Sequence, residues 1–390
     1  MGGGGWPRFR DARALIQALR PDYPVFCIRP SVIARSAADF QSRFPGKVLY
    51  AVKCNPHPLV LEALRSGGIR HYDAASLDEI ALVYGEASSV YFMHPVKRRS
   101  SIREAYRRFA VRHFVVDHAY ELAKVIDETG GVGLTIVVRI ATAPHGRSWY
   151  DFSGKFGADV DEGAELLRDV AGLGCRTGLG FHIGSQCQDP RAFGEAFERI
   201  GAVIARAGLR PACIDVGGGF PASYPGCEVP PLDDYVAAIR VGLERLGAAP
   251  EVELLAQPGR ALVAPGCSLL VQVQLRKGDR IFLNDGVFGC LSELIDWDHR
   301  LPTEVIRPGY AVASRRAAFR LFGPTCDSID ALPSSWLLPE DLREGDWIEI
   351  QAIGAYSIAL ASRFNGFTVE AVAELEDDPG GSVEASSISG

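Results

Sequence analysis

The sequence has no pair of cysteines separated by two residues, and it has no apolar run of the ~18 residues needed to cross a bilayer. Its nine cysteines are odd in number and widely spaced, which favours reduced thiols in a cytosolic protein over a zinc site or a redox motif. Basic residues are fewer than acidic ones, and the resulting formal net charge of −7 argues against nucleic acid as the main partner. We therefore expect a cytoplasmic protein that contacts no membrane, metal ion or nucleic acid.

A Gly-x-Gly-x-x-Gly sequence is also absent after the first predicted strand, which disfavours an open doubly wound sheet. Between residues 30 and 262, eight short apolar runs alternate with segments of helical periodicity. The runs are Val48–Val52, Ile69–Tyr72, Val90–Met93, His113–Val116, Leu134–Ile140, Gly178–Ile183, Cys213–Val216 and Val252–Ala256. Strands that alternate with helices in this way predict parallel βαβ units, and eight units predict a closed (β/α)8 barrel.

The pattern changes after residue 262, where strand-like runs are separated by turns and helical segments are few. The runs are Leu269–Leu275, Arg280–Leu283, Ala317–Leu321 and Trp347–Ile350. Residues 23–29 also resemble a strand that precedes the barrel. We therefore predict a β domain built from both ends of the chain, residues 1–29 and 263–373, followed by a disordered tail over residues 374–390.

Polar residues stand at the predicted ends of the barrel strands. Because a β/α barrel forms its active site at the carboxyl ends of its strands, we expect these residues to meet at one face. In chain order they are Lys53, Asp73, His94, Arg139, His182 with Ser185, Gly217–Gly219 and Gln257–Arg260.

Lys53 lies within Tyr50-Ala-Val-Lys-Cys-Asn55, whose apolar members direct it into the barrel mouth. An unpaired ammonium is costly in such surroundings, and an amine kept partly neutral there suits Schiff-base chemistry. The alternative is a lysine at a strand end that simply reaches solvent.

Two glycine-containing segments favour an oxyanion site at the same rim. Asp215-Val-Gly-Gly-Gly-Phe220 offers unhindered backbone N–H groups, although such a run can also mark only a turn. Gln257-Pro-Gly-Arg260 adds a guanidinium, which favours phosphate. His182 either faces an aromatic ring, carries a proton or is a hydrogen-bonded core histidine.

Taken together, these segments resemble a known family. The matching motifs are Tyr50-Ala-Val-Lys-Cys-Asn55, Asp73-Ala-Ala-Ser76, Ser153-Gly-Lys-Phe-Gly157, His182-Ile-Gly-Ser185, Gly217-Gly-Gly-Phe-Pro221, Gln257-Pro-Gly-Arg260, Gly323-Pro-Thr-Cys-Asp327, Gly354-Ala-Tyr356 and Phe364-Asn-Gly-Phe367. From about residue 23 to 373 the chain resembles the fold-type III (alanine-racemase-like) decarboxylases that use pyridoxal 5′-phosphate, the group that acts on ornithine, lysine, arginine or diaminopimelate. The Cys-Asp and Phe-Asn-Gly-Phe forms are most similar to the ornithine decarboxylase branch.

The resemblance implies pyridoxal phosphate as cofactor. Lys53 would carry it as a Schiff base, and His182 would stack on its ring. Ser185, Gly219, Arg260 and Tyr356 would hold its phosphate, helped by the backbone of Gly217–Gly219. The residues expected around the cofactor are Lys53, Asp73, Arg139, His182, Ser185, Gly217, Gly218, Gly219, Gln257, Gly259, Arg260 and Tyr356.

The resemblance also implies a homodimer with two shared active sites. Cys326, presented by the neighbouring subunit, would protonate the substrate carbon after carbon dioxide leaves. Asp327 of the same loop would bind the distal ammonium of a diamino acid. With Lys53 and His182, Cys326 completes the expected catalytic set.

Gln257 departs from the family motif Glu-Pro-Gly-Arg, whose glutamate pairs with the pyridine nitrogen and keeps it protonated. An amide has no charge to pair, so we expect Gln257 at most to donate a hydrogen bond to a neutral ring nitrogen. The cofactor would then be a weaker electron sink. A retuned reaction, a non-catalytic descendant and an introduced substitution are the three explanations.

The substrate loop departs as well. Glu293, Asp296, Asp298 and His299 form an acidic cluster that is either a solvated loop or a site for a cationic substrate. Alignment on the histidine puts Asp298 at the substrate aspartate with one inserted residue, and alignment on Asp285 puts Trp297 there. Phe288 stands where the family often has tyrosine. The residues that we expect around the substrate are Phe288, Asp296, Asp298 and Asp327.

These observations predict a decarboxylase of ornithine, lysine or arginine that takes part in polyamine biosynthesis. One alternative is another reaction at the same carbon, such as racemisation or decarboxylation coupled to oxidation, because Gln257 replaces glutamate. The other alternative is a non-catalytic binding protein that resembles the antizyme inhibitors. The retained Lys53 and the complete set of phosphate-binding residues argue against this alternative.

Overall fold

The computed structural model describes residues 6–142, 148–150, 152, 154–247, 251–296 and 300–377. The strands of these residues are β1 (Arg8–Phe9), β2 (Val25–Ile28), β3 (Lys47–Ala51), β4 (His71–Ala74), β5 (Ser89–Phe92), β6 (His113–Val116), β7 (Thr135–Arg139), β8 (Ser148–Tyr150), β9 (Arg176–Gly180), β10 (Ser185–Cys187), β11 (Cys213–Asp215), β12 (Glu253–Ala256), β13 (Cys267–Lys277), β14 (Arg280–Leu283), β15 (Thr303–Ile306), β16 (Arg316–Phe322), β17 (Ala331–Pro339), β18 (Trp347–Gln351) and β19 (Ala371–Leu375). The helices are α1 (Ala12–Leu19), α2 (Pro30–Arg43), α3 (Pro58–Ser66), α4 (Leu77–Val83), α5 (Arg99–Arg108), α6 (Ala119–Thr129), α7 (Val160–Gly172), α8 (Arg191–Ala207), α9 (Leu232–Arg245) and α10 (Arg260–Val263). In the described part of the chain, no helix combines the length and apolar character needed to cross a membrane.

Eight parallel strands close into a barrel in the order β3, β4, β5, β6, β7, β9, β11 and β12. The circle closes where β12 pairs with β3, with Leu255 opposite Lys47. Each of the eight predicted runs overlaps one of these strands, so the predicted barrel is confirmed. Its interior is filled by buried apolar side chains, namely Leu49, Tyr91, Met93, Val115, Val137, Cys213 and Leu255.

Helices lie between successive barrel strands, and local capping fixes where several of them begin. Ser76 accepts a hydrogen bond from the Glu79 N–H at the start of α4. Asp159 and Glu162 form a reciprocal capping box at the start of α7. Their apolar faces pack on the outside of the barrel, so the polar strand ends remain available at one face.

A second sheet of nine strands is built from both ends of the chain, in the order β1-β19-β2-β13-β14-β16-β17, with β18 and β15 joined through β13. Residues 25–28 pair with 267–270, so the N-terminal strand joins this sheet. Arg29 lies at the junction: its guanidinium contacts Glu349 at 2.7 Å, Ser268 at 2.8 Å and Asp377 at 2.9 Å. This buried ion network joins the strand before the barrel to the strands after it.

Two features differ from the expectations. β19 includes Glu374 and Leu375, so the tail predicted from residue 374 does not begin there, because parallel pairing with β2 and β1 satisfies the backbone of these residues. Residues 378–390 lie outside the described part of the chain. The short antiparallel pair of β8 and β10 was not predicted, since three-residue strands carry little periodicity.

Candidate active site

Most of the residues predicted at the strand ends converge on a cavity of about 320 Å³ at the mouth of the barrel. The carboxyl ends of parallel barrel strands share one face, which brings these distant parts of the sequence together. The lining residues are Ala51, Lys53, His182, Ser185, Gly218, Gly219, Phe220, Gln257, Gly259, Arg260 and Tyr356.

Lys53 lies in the single 3₁₀ turn that follows β3. Its Nζ is 3.4 Å from Oδ2 of Asp73, whose side chain at the end of β4 is only 2% exposed. The Lys53 side chain keeps 44% exposure. Lys53 therefore lines the cavity at the barrel mouth, and its amine is nearly half exposed and paired with Asp73.

His182 follows β9 and forms one wall of the cavity. Burial, reinforced by Arg139 and Lys53, lowers the pKa of His182 well below its ordinary value, so the imidazole is neutral. Its Nδ1 accepts a hydrogen bond from the Gly184 N–H at 3.1 Å, which leaves the ring proton on Nε2. A Cβ atom on Gly218 would lie 2.9 Å from Nε2, so only glycine leaves room beside this ring.

The glycine run after β11 turns the backbone into the cavity. Gly217 has a positive φ of 67°, and a Cβ atom there would lie 2.2 Å from the carbonyl oxygen of Phe181. The conformation and the space both require glycine, and the run brings backbone N–H groups to the rim without side chains.

Gln257 follows β12 and contacts Asp215 at the end of β11. Gln257 Nε2 donates to Asp215 Oδ2 at 2.6 Å, and Asp215 Oδ1 accepts from the Gly217 N–H at 2.8 Å. Burial raises the pKa of Asp215 to about 7. The amide nitrogen, which we expected to donate toward a ring nitrogen, thus donates to Asp215 instead.

Arg260 begins α10 and is 3% exposed. Its guanidinium lies 3.4 Å from Ser185 Oγ and 3.1 Å from the Tyr224 hydroxyl, and 5.2 Å from the ring centre of Tyr356. Gly259, immediately before it, packs against Cys54, where a Cβ atom would lie 2.8 Å from the Cys54 Cβ. The predicted set of Ser185, Arg260 and Tyr356 is therefore brought together around one buried cation.

The sequence analysis missed the role of Glu293. Both carboxylate oxygens of Glu293 accept from Arg260, one of them at 2.9 Å, and the side chain is 11% exposed. Burial raises the pKa of Glu293, and Arg260 opposes this rise. The spacing of acidic residues in this loop does not predict a contact between Glu293 and Arg260. Glu293 is therefore largely buried against Arg260 and does not belong to a solvated cluster.

A second cavity of about 250 Å³ lies deeper in the barrel and is lined by Arg139, His182, Asp215 and Gln257 with apolar neighbours. The guanidinium of Arg139 lies 5.3 Å from the ring centre of Phe156. Burial lowers the pKa of Arg139, and Asp117, Asp215 and Asp73 oppose this shift. Arg139 thus lines the deeper cavity, and neither Arg139 nor Asp73 is among the described residues that line the cavity of Lys53.

Of the predicted substrate residues, Phe288 and Asp327 lie on loops of the second sheet. The Phe288 ring is 4.7 Å from that of Phe364. Cys326 is exposed, and its Sγ and backbone N–H both lie 3.2 Å from Oδ1 of Asn365. Neither Cys326 nor Asp327 is among the described residues that line the cofactor cavity of the same chain.

A buried carboxylate joins the two loops. Asp330 Oδ1 accepts from the Val287 N–H at 2.9 Å, next to Phe288. Its Oδ2 accepts from the N–H of Thr325 at 3.0 Å and from its hydroxyl at 2.7 Å, next to Cys326. The Asp296 side chain and all of Trp297, Asp298 and His299 lie outside the described residues, so their predicted roles stay predictions.

Comparison with known proteins accounts for this arrangement. Residues 31–264 match the family model described as pyridoxal-dependent decarboxylase, pyridoxal binding domain. The ornithine decarboxylase of Schizosaccharomyces pombe is 32% identical over 349 residues, which span 84% of this chain and 78% of that protein. The chain belongs to the fold-type III pyridoxal-phosphate decarboxylases, in the ornithine decarboxylase branch.

Two other members of this decarboxylase family illustrate its range. The crystal structure of the lysine/ornithine decarboxylase of Vibrio vulnificus, in complex with putrescine, is similar with a TM-score of 0.80 and 30% identity, covering 94% of this chain and 99% of that one. Antizyme inhibitor 2 of Xenopus laevis is 32% identical over 353 residues, 82% of this chain and 74% of that protein. The family therefore includes both decarboxylases and a protein named as an inhibitor of antizyme.

The residues of the cavity fit pyridoxal phosphate, the cofactor of this decarboxylase family. A primary amine at Lys53 and the guanidinium of Arg260 lie on the same cavity, with the flat imidazole of His182 among its lining residues. The glycine run leaves space that any Cβ atom would fill. This donor set suits an aldehyde, a planar ring and a phosphate group.

Proposed function

We propose that this protein is a pyridoxal-phosphate-dependent decarboxylase of a cationic amino acid, of the ornithine, lysine or arginine type. The observation that carries the proposal is the single cavity that brings Lys53, His182 and Arg260 to the mouth of the barrel. Relatives and structural neighbours named as ornithine and lysine/ornithine decarboxylases support the substrate class.

The polar residues in and beside the cavity have defined tasks in this proposal. Lys53 supplies the amine that holds the cofactor covalently, and Asp73 keeps that amine near the strand end. His182, neutral and fixed by Gly184, covers one face of the ring. Arg260 and the glycine N–H groups bind the phosphate. Held by these residues, pyridoxal phosphate would supply an electron sink for decarboxylation at Cα.

The substrate contacts come from the second sheet. We propose that a homodimer places Cys326 of the partner subunit beside the reacting carbon, where its thiol supplies the proton that replaces the carboxylate. Asp327 of the partner subunit binds the distal ammonium of the substrate. Phe288, Asp296 and Asp298 of the loop after β14 border the same substrate.

The exposure of Cys326 supports this placement, since a thiol that serves another subunit must lie on the surface of its own. The neighbouring Asp330 holds the Cys326 loop and the Phe288 loop together. Both loops can therefore be presented as one unit to a second copy of the chain.

A direct assay tests the proposal. The purified protein with bound pyridoxal phosphate is incubated with L-ornithine, L-lysine and L-arginine, and carbon dioxide and amine are measured. We expect equal amounts of both from one of these substrates, none with Lys53→Ala, and a raised KM with Asp327→Asn. Carbon dioxide without a matching amine, or a D-amino acid without carbon dioxide, would replace the proposal by retuned chemistry.

A non-catalytic binding role is the second candidate, and two observations favour it. Gln257 replaces the family glutamate, and Glu293 holds the arginine that would bind phosphate. The similarity to antizyme inhibitor 2 gives this role a precedent in the family. A purified protein that is incubated with excess pyridoxal phosphate, freed of unbound cofactor and then shows no absorbance near ~420 nm would support this role over catalysis.

A further inference from the structure

The contact between Asp215 and Gln257 gives the cavity a property that neither residue has alone. Asp215 is 2% exposed, and both of its carboxylate oxygens accept hydrogen bonds, one from a backbone N–H and one from the Gln257 amide. Gln257 lines both the cofactor cavity and the deeper cavity, whereas Asp215 lines only the deeper one among the residues described. Gln257 therefore stands between the cofactor and a buried carboxylate.

The hydrogen bond fixes which end of the amide faces which partner. An ionised carboxylate only accepts hydrogen bonds, so an amide that touches it must present its nitrogen. With Nε2 at 2.6 Å from Asp215, the carbonyl oxygen is the polar end of Gln257 left for the cofactor side. An amide oxygen is an acceptor, and the only ring-nitrogen state that it can serve is the protonated one.

We propose that Asp215 is a positioning residue that orients the Gln257 oxygen toward the cofactor ring. In this position the oxygen accepts a hydrogen bond from the protonated pyridine nitrogen. The negative charge that balances this nitrogen lies on Asp215, on the far side of the Gln257 amide. The negative charge that the family places on a glutamate in contact with the ring is thus moved to the next residue inward. This inference rests on the proposed seat of the cofactor in the cavity, but it does not depend on decarboxylation.

Burial is the largest influence on Asp215 and disfavours its ionised form, as does Asp73, whereas Arg139 and the hydrogen bonds from Gly217 and Gln257 favour that form. A positive ring nitrogen beyond Gln257 adds a second favourable charge, and it would lower the pKa of Asp215 from the value of about 7 that burial sets. Protonation of the ring and ionisation of Asp215 therefore reinforce each other.

The test reads the ring nitrogen directly. The holoprotein is prepared with pyridoxal phosphate labelled with ¹⁵N in the ring, its occupancy is quantified, and the ¹⁵N chemical shift is compared with those of protonated and neutral pyridine. We expect the protonated shift in the wild type and the neutral shift in Asp215→Asn at the same pH. A neutral nitrogen in the wild type, or a protonated one in Asp215→Asn, would overturn the inference.

Two further variants guard against a purely structural effect. Gln257→Met keeps Asp215 and removes both ends of the amide, so we expect a neutral nitrogen even if Asp215→Asn does not fold. Adding Gln257→Glu to Asp215→Asn supplies the charge at the ring, and we expect the protonated shift to return. A protonated nitrogen in Gln257→Met, or a neutral one in the double variant, would refute the relay.

The protonation state of the ring nitrogen and the release of carbon dioxide are measured independently, so the inference and the proposed function can fail separately. A protonated ring in a protein that releases no carbon dioxide keeps the inference and rejects the decarboxylase. Carbon dioxide release with a neutral ring nitrogen keeps the decarboxylase and rejects the inference.

Discussion

At the scale of single residues, Arg260 already holds an anion that belongs to the chain. The carboxylate of Glu293 contacts the buried guanidinium through two hydrogen bonds, in the position where the proposed phosphate contact would form. A phosphate group must therefore compete with Glu293 or displace it. The affinity for the cofactor is then set partly by a residue outside the family motifs.

We expect Glu293→Gln to strengthen the binding of pyridoxal phosphate about tenfold, or ~1.4 kcal/mol, because Arg260 loses its internal counter-charge. Titration of the cofactor-free protein with pyridoxal phosphate, followed by absorbance, measures the Kd. The exposed residue Glu344 provides the matched control, and Glu344→Gln should leave the Kd unchanged. Equal or weaker binding in Glu293→Gln would contradict competition at Arg260.

His113 predicts a pH dependence of stability. Burial lowers its pKa to about 4 in the folded chain, against about 6.5 in the unfolded chain. Below pH 6.5 the unfolded chain binds a proton that the folded chain does not, so stability falls as pH decreases toward 4. At pH 5 this costs about 2 kcal/mol.

We expect His113→Gln to lose less stability than the wild type between pH 7 and pH 5. The raised pKa values of Asp215 and Asp285 act in the opposite direction, so the quantity of interest is the difference between the two proteins. Thermal unfolding at both pH values measures it. Parallel decreases in Tm would show that His113 does not titrate in this way.

At the scale of elements, Asp330 links two loops that carry proposed substrate residues. We expect Asp330→Ala to retain pyridoxal phosphate while kcat/KM falls roughly 100-fold, because small displacements of reacting groups are costly. Activity and bound cofactor are measured together. Asp279→Ala, at an exposed turn, is the control, and loss of the cofactor from Asp330→Ala would indicate general unfolding instead.

At the scale of the whole molecule, the proposed site needs two chains. Lys53→Ala removes the cofactor amine and Cys326→Ala removes the proton donor, so each variant alone should be inactive. After dissociation and mixing in equal amounts, random dimers should recover roughly a quarter of wild-type activity, since half are heterodimers with one intact site. No recovery from mixtures shown to contain heterodimers would place both residues in the same chain.

The barrel could be predicted from the sequence because its strands are regular. Runs such as His113–Val116 are continuous and mostly apolar, and helical segments separate them. Eight such units in succession predict a closed barrel. Lys53, His182 and Arg260 were identified from motifs at strand ends, and the fold brings them to one cavity. By contrast, β8 and β10 have only three residues each, and β19 pairs with β1 and β2 from the opposite end of the chain, so no local period marks these strands.

Contacts between distant side chains were decided only by the tertiary structure. The sequence by itself determined the fold class, the family resemblance and the positions of Lys53, Gln257 and Arg260. That Glu293 pairs with Arg260, and that Asp215 orients the amide of Gln257, follows from packing that joins separate segments. Hydrogen bonds of this kind depend on distance and angle in three dimensions, which residue types and spacing do not encode.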